Sequence, residues 1–162
     1  MVSFFEEIRA ERAALIEYVR GLDPAALDRP GAVGRWSVKD ALAHLAGWQE
    51  WMLKALPARL EHGELPEGLR VTESNVDDWN RQFVEERRSA NTDNVLDDLS
   101  TGMRRLMFFA VNLGLTRLEA PNPWPERPAS LAEYLREQLA GHDREHREQI
   151  AREVRQREGE RQ

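Results

Sequence analysis

The sequence predicts an all-α fold, a bundle of four main helices with one additional short helix. Three observations carry this. Apolar residues recur at helical spacing along almost all of the 162 residues. Alternating strand patterns are scarce. The punctuation between periodic stretches is that of helix ends, with Gly21 as a stop and Ser37, Asn91 and Ser130 as starts. No internal repeat and no linker divides the chain, so it reads as a single domain over residues 1–162, with residues 155–162 as a frayed tail.

The first helix is expected over about Val2–Arg20, with Phe5, Ile8, Leu15 and Val19 inward and Gly21 ending it. "LDPAALDRPGAVGRW" reads as loop with one turn, because Asp23-Pro24 is a cap followed by a proline suited to the first helical position. The second helix starts at Ser37, whose hydroxyl can cap the amide of Lys39 or Asp40, and is expected to end before Pro57. Its inward face is Ala41, His44, Leu45, Trp48, Trp51 and Met52. "HGELPEG" is turn chemistry, which leaves His62 solvated. A third helix covers about Glu73–Ser89, with Val76, Trp79, Asn80, Phe83 and Val84 on one side. Asn-Thr-Asp at 91–93 recaps the chain for a fourth helix to about Leu113, with Val95, Leu99, Met103, Leu106 and Ala110 inward. "TRLEAPNPWPERPA" has the length and prolines of a crossover or lid. Ser130 and Glu133 then form a capping box, opening a helix to about Arg157 whose stripe is Leu131, Leu135, Gln138, Leu139, His142, His146 and Ile150.

The 23 basic and 29 acidic residues give a net charge of −6. This acidic balance argues against a nucleic-acid partner, which would need a basic stripe. The start of the chain lacks a charged region followed by a long apolar one. The longest apolar run, Leu106–Val111, is too short to span a bilayer. A cytoplasmic protein with no membrane partner is expected. There is no cysteine, which excludes disulfides, thiolate ligands and a cysteine nucleophile. Any thiol chemistry needs its sulfur from a cosubstrate.

Of four histidines, His142 and His146 stand one helical turn apart, so both rings can face one point in space. Both lie on the apolar stripe, and His44 lies on the apolar face of another helix. Buried neutral imidazoles need partners for their nitrogens. Metal ligation by His44, His142 and His146 accounts for all three better than three separately satisfied core residues. "HDREH" also fits the H-x-x-E-H pattern of inverted zinc proteases. Those enzymes take a further carboxylate ligand from far downstream, and few residues follow His146, so Glu145 reads as a surface charge. Ligating imidazoles usually donate their other N–H to an acceptor, and Asp40 and Gln138, each one turn before a histidine, are the candidates. For Asp40 the competing role is helix-end electrostatics. Trp48, Trp51 and Asn80 are candidate pocket residues, with plain core packing as the alternative. Trp36 is expected to staple the helix start.

"WSVKDALAHLAGW", residues 36–48, resembles the second-helix signature of the DinB/YfiT-like superfamily, and "HDREH" resembles the paired histidines on that superfamily's last long helix. The resemblance implies a DinB/YfiT-like four-helix bundle of up-down-down-up type, homodimeric, with His44, His142 and His146 as metal ligands. It also implies a relationship to transferases and isomerases that use a low-molecular-weight bacterial thiol. "VDDWNRQFVEERRS" looks like the neighbouring colibactin self-protection branch, which does not usually keep the paired histidines, so the chain is placed with the metal-binding members.

A three-histidine site leaves coordination positions open, as catalytic sites do. The function expected is that of a divalent-metal-dependent transferase using a thiol cosubstrate, or a hydrolase, acting on a small-molecule substrate. Zinc or nickel is the metal expected first. The alternative is a non-catalytic helical protein that binds or sequesters a small molecule in self-protection or stress.

Overall fold

The computed structural model describes residues 2–121 and 130–160. The helices, in order, are α1 (Val2–Arg20), α2 (Pro24–Leu27), α3 (Val38–His62), α4 (Val76–Glu86), α5 (Thr92–Glu119), α6 (Leu131–Arg136) and α7 (His142–Gly159). A 3₁₀ turn covers Glu67–Leu69, and a π-helical turn, Glu137–Gly141, joins α6 to α7. Among the described residues, extended backbone pairs only at two isolated bridges, Val33 with Trp36 and Pro121 with Ser130. None of the described helices is long and apolar enough to cross a membrane.

Four long rods make the bundle: α1, α3, α5, and the continuous run of α6, the π turn and α7. Their inner faces form two apolar clusters. Leu15, Leu42, Leu45, Leu99 and Ile150 fill one, and Trp51, Leu56, Phe83, Leu106 and Leu135 fill the other. Two capping boxes hold the helices that carry the histidines. Ser37 Oγ accepts from Asp40 N while Asp40 Oδ2 accepts from Ser37 N, and Ser130 and Glu133 do the same at α6.

Four boundaries differ from expectation. Helix α3 runs through Pro57 to a left-handed glycine cap at Gly63, φ 77°. Pro57 is exposed, so water can meet the carbonyl that its missing N–H leaves free, while Ala55 and Leu56 anchor the turn in the core. Helix α4 is shorter than its periodic stretch. Helix α5 breaks where its end was expected, at Gly114 with φ 74° and ψ 165°, and then resumes to Glu119. The last helix continues past Val154, where fraying was expected, to Gly159, with Arg157 Nη2 donating to Pro30 O at 3.0 Å. The expected crossover or lid falls on residues 122–129, outside the described residues. Its flanks are joined by Leu131 N donating to Ala120 O at 3.0 Å.

Helix α4 packs close to α3 because Gly47 has no side chain. A Cβ there would run into the Cβ and ring of Phe83. Overpacking of this kind costs about 1–3 kcal/mol, so Gly47→Ala is expected to lower Tm by several degrees in a thermal melt. An unchanged Tm would mean that α4 is not seated through this contact.

Candidate metal centre

Helix α3 brings His44 inward from its second turn, and α7 brings His142 and His146 from its first five residues. His44 Nε2 lies 3.2 Å from His142 Nε2, and His146 Nε2 also lies 3.2 Å from His142 Nε2. One nitrogen from each of the three rings falls within 4.8 Å of the others. Two nitrogens bound at 2.0–2.1 Å to one tetrahedral zinc stand about 3.3 Å apart, so the two contacts to His142 have the spacing of ligands around a shared ion. Hydrogen bonding does not account for it as well. His142 Nε2 has either one hydrogen or one lone pair, so it can satisfy one neighbour fully and not both. The outer nitrogens, Nδ1 of His44 and of His146, are buried and, among the described residues, have no hydrogen-bond partner. With their protons on Nδ1, the lone pairs on Nε2 point at the common centre.

The electrostatics agree. Burial, and then the rings of His142 and His146, push His44 down to about 3, with Asn80 acting in the opposite sense. Burial and His146 push His142 down to about 4. Burial also lowers His146, against the pull of Glu145 and Gln149. All three rings are therefore neutral at pH 7, the form that binds metal.

The other expected site residues fare differently. Asp40 is not an acceptor for His44: its Oδ2 accepts from Ser37 N at its own helix start, and among the described residues His44 Nδ1 has no hydrogen-bond partner. Gln138 is not one for His142 either. It falls in the π turn, whose extra residue interrupts the regular helical spacing that was to set it under His142, and among the described residues it makes no hydrogen bond with His142. Gln149, beside His146, and Asn80, beside His44, are the polar neighbours instead. Trp48 reaches the site, its ring 6.4 Å from that of His44, and its Nε1 donates to Asn80 Oδ1 at 2.9 Å. Trp51 belongs to the core, 6% exposed, with Nε1 donating to Leu69 O at 3.0 Å. His62 is solvated as expected and Glu145 is exposed, accepting from Gln149 Nε2.

Trp36 goes beyond its expected role as a staple. Its ring lies 4.7 Å from that of His44, and its carbonyl accepts from the amides of Gly31, Ala32 and Val33. A left-handed Gly31, φ 93°, and Gly34, φ 57°, permit that tight loop. The two glycines flanking "AV" just before Trp36 are the sequence signal that could have revealed it. A second unforeseen feature is the buried pair Arg12–Asp143 next to His142. Its signal was an arginine in the middle of the α1 apolar stripe.

A family model described as the mycothiol maleylpyruvate isomerase N-terminal domain matches residues 8–142. No curated protein matches the chain. Among solved structures, the sibling lethal factor precursor DfsB superposes with a TM-score of 0.80 at 13% identity, covering 96% of this chain and 95% of that one. An uncharacterised protein from Escherichia coli UTI89 gives 0.76 at 13% identity over 97% and 94%. The colibactin self-resistance protein ClbS, in complex with double-stranded DNA, gives 0.77 at 13% identity over 93% of each chain. These likenesses establish the helical-bundle fold expected from the sequence. The ClbS complex also overturns the exclusion of nucleic acid drawn from net charge, since the same fold is found on DNA. A whole-chain charge is a sum, whereas binding answers to the local field.

Proposed function

The chain belongs to the mycothiol maleylpyruvate isomerase N-terminal domain family, a helical member of the DinB/YfiT-like superfamily, and from that premise we propose that it is a metal-dependent enzyme acting on a small molecule, with thiol-dependent transfer ahead of hydrolysis. The observation that carries this reading is the convergence of three neutral imidazoles from two helices, with Nε2 contacts of 3.2 Å. Three protein donors leave positions for a reactant, unlike the closed four-ligand sets of structural sites. A divalent ion held there supplies the Lewis acidity that lowers the pKa of a coordinated thiol or water. The residues of the chain do the rest. His44, His142 and His146 offer lone pairs without first losing protons, Trp36 packs at a tilt against the His44 ring, and Trp48, tied to Asn80, stands edge-on to that ring. The thiol comes from a cosubstrate, because the chain has no cysteine and the family description names a thiol. Zinc and nickel suit an all-imidazole set.

The fold shared with ClbS supports a second reading, non-catalytic capture of a small reactive compound. Elemental analysis of untagged protein, followed by a thiol-consumption assay with mycothiol and a dinitrophenyl halide, separates the two. About one metal ion per chain, with thiol consumed only by the loaded protein, is the expected result. Metal without turnover favours capture, and protein that takes up neither zinc nor nickel removes the centre.

A further inference from the structure

Two features at the start of α7 bear on how its histidines are held. The π turn Glu137–Gly141 comes directly before His142, so α7 does not inherit its rotation from α6 through regular α-helical bonds. An inserted residue of this kind swings whatever follows around the helix axis. Immediately after His142 comes Asp143, 1% exposed, which is gripped by Arg12, 2% exposed. Arg12 Nε donates to Asp143 Oδ2 at 2.7 Å, and Arg12 Nη2 donates to Asp143 Oδ1 at 3.0 Å. The remaining arm, Arg12 Nη1, donates to the carbonyl of Leu99 on α5.

We propose that the Arg12–Asp143 pair is a positioning clamp for the metal centre, fixing the rotation of the first turn of α7 and thereby the aim of His142 and His146. The proposal rests on the metal reading above. Asp143 stands about 100° from His142 and about 60° from His146 around the helix, so holding its carboxylate at one azimuth sets both rings. A side-chain tip about 6 Å from the axis moves about 1 Å for each 10° of rotation, while a ligand constellation tolerates about 0.5 Å. The bond to Leu99 completes the frame. Helix α5 is also the main neighbour of α3, which carries His44, so one guanidinium refers both ligand helices to the same rod. Stability is a poor reason for such a pair, because apolar residues of similar volume usually serve a buried site as well or better. What two parallel N–H···O bonds add is direction.

The test compares zinc affinity, by competition with a chromophoric chelator, and the visible spectrum of the cobalt(II)-loaded protein, across wild type, R12M/D143L, D143N and I150V. The double variant replaces the clamp with apolar groups. It is expected to stay folded with Tm within a few degrees of wild type, to bind zinc about 10–100-fold more weakly and to show an altered cobalt spectrum. Ile150→Val, a packing change on the same helix, is expected to keep wild-type affinity. Wild type that binds no zinc would remove the metal reading itself. Wild type that binds zinc, with equal affinity and spectrum in R12M/D143L, overturns the clamp, as does an equal loss in I150V. If the double variant does not fold, D143N decides in the same way: weakened binding supports the clamp and unchanged binding overturns it.

Discussion

Replacing His142 with alanine is expected to empty the centre, taking metal content from about one ion per chain to a small fraction of that. His142 has the largest effect because its Nε2 is the atom shared by both close contacts, 3.2 Å to His44 and 3.2 Å to His146. Without it the two remaining imidazoles, though in ring contact across the two helices, offer an ion only two ligands. Structural zinc sites bind with about 10–16 kcal/mol over four ligands, or roughly 3 kcal/mol for each. Loss of one ligand from a set of three therefore weakens binding on the order of 100-fold or more. His62→Ala is the matched control, since His62 is exposed on the last turn of α3 and should leave metal content unchanged. The family match ends at His142, so His146 lies outside it, and His146→Ala, which removes one of the two close contacts, is expected to lower metal content as well but by less than His142→Ala. Full metal content in His142→Ala, by elemental analysis of dialysed protein, would mean that the three rings are core residues and nothing more.

The parts of this molecule that could be read from the sequence are those written in local periodicity and local caps. Ser37 caps the amide of Asp40, one of the two expected for it, and Ser130 and Glu133 form the expected capping box. His44, His142 and His146 meet because each lies on an apolar stripe, and in a bundle such stripes have one place to go. What stayed hidden depended on distant partners or on a single inserted residue. Asp40 had two uses open to it, its helix end or His44, and its carboxylate turns to the nearby amide of Ser37. Gln138 kept perfect spacing on paper, but the π turn broke the period just before the histidines. Arg12 and Asp143 are 131 positions apart, so neither announces the other, although an arginine between Ile8 and Leu15 on a buried face demanded an anionic partner. The nucleic-acid exclusion failed for a different reason, because the sign of a whole chain's charge says little about any one face of it.

Lowering the pH from about 7 to about 5 is expected to destabilise the metal-free protein steeply. In the unfolded chain each imidazole takes up a proton near 6.5. In the folded chain burial and the adjoining rings hold His44 down to about 3 and His142 down to about 4. Between 6.5 and about 4 the unfolded state therefore binds protons that the folded state refuses, so stability is full above 6.5 and is lost as the pH falls through that window. Two such groups contribute about 2.7 kcal/mol per pH unit, or about 4 kcal/mol by pH 5, a large share of the stability of a domain of this size. His146, also lowered by burial, acts in the same direction. Urea unfolding of metal-free protein at the two pH values measures the loss, and stopping near pH 5 keeps most carboxylates out of the comparison. His44→Leu is expected to reduce the slope by about 1.4 kcal/mol per unit, one proton's worth. In the metal-loaded protein, weak proton competition for the buried rings should hold the ion until the fold itself gives way, so metal release and loss of helical circular dichroism should coincide. A wild-type stability that is flat from pH 7 to 5 would show that the three rings are not held neutral, and metal leaving well before the helices melt would show that they are not held together.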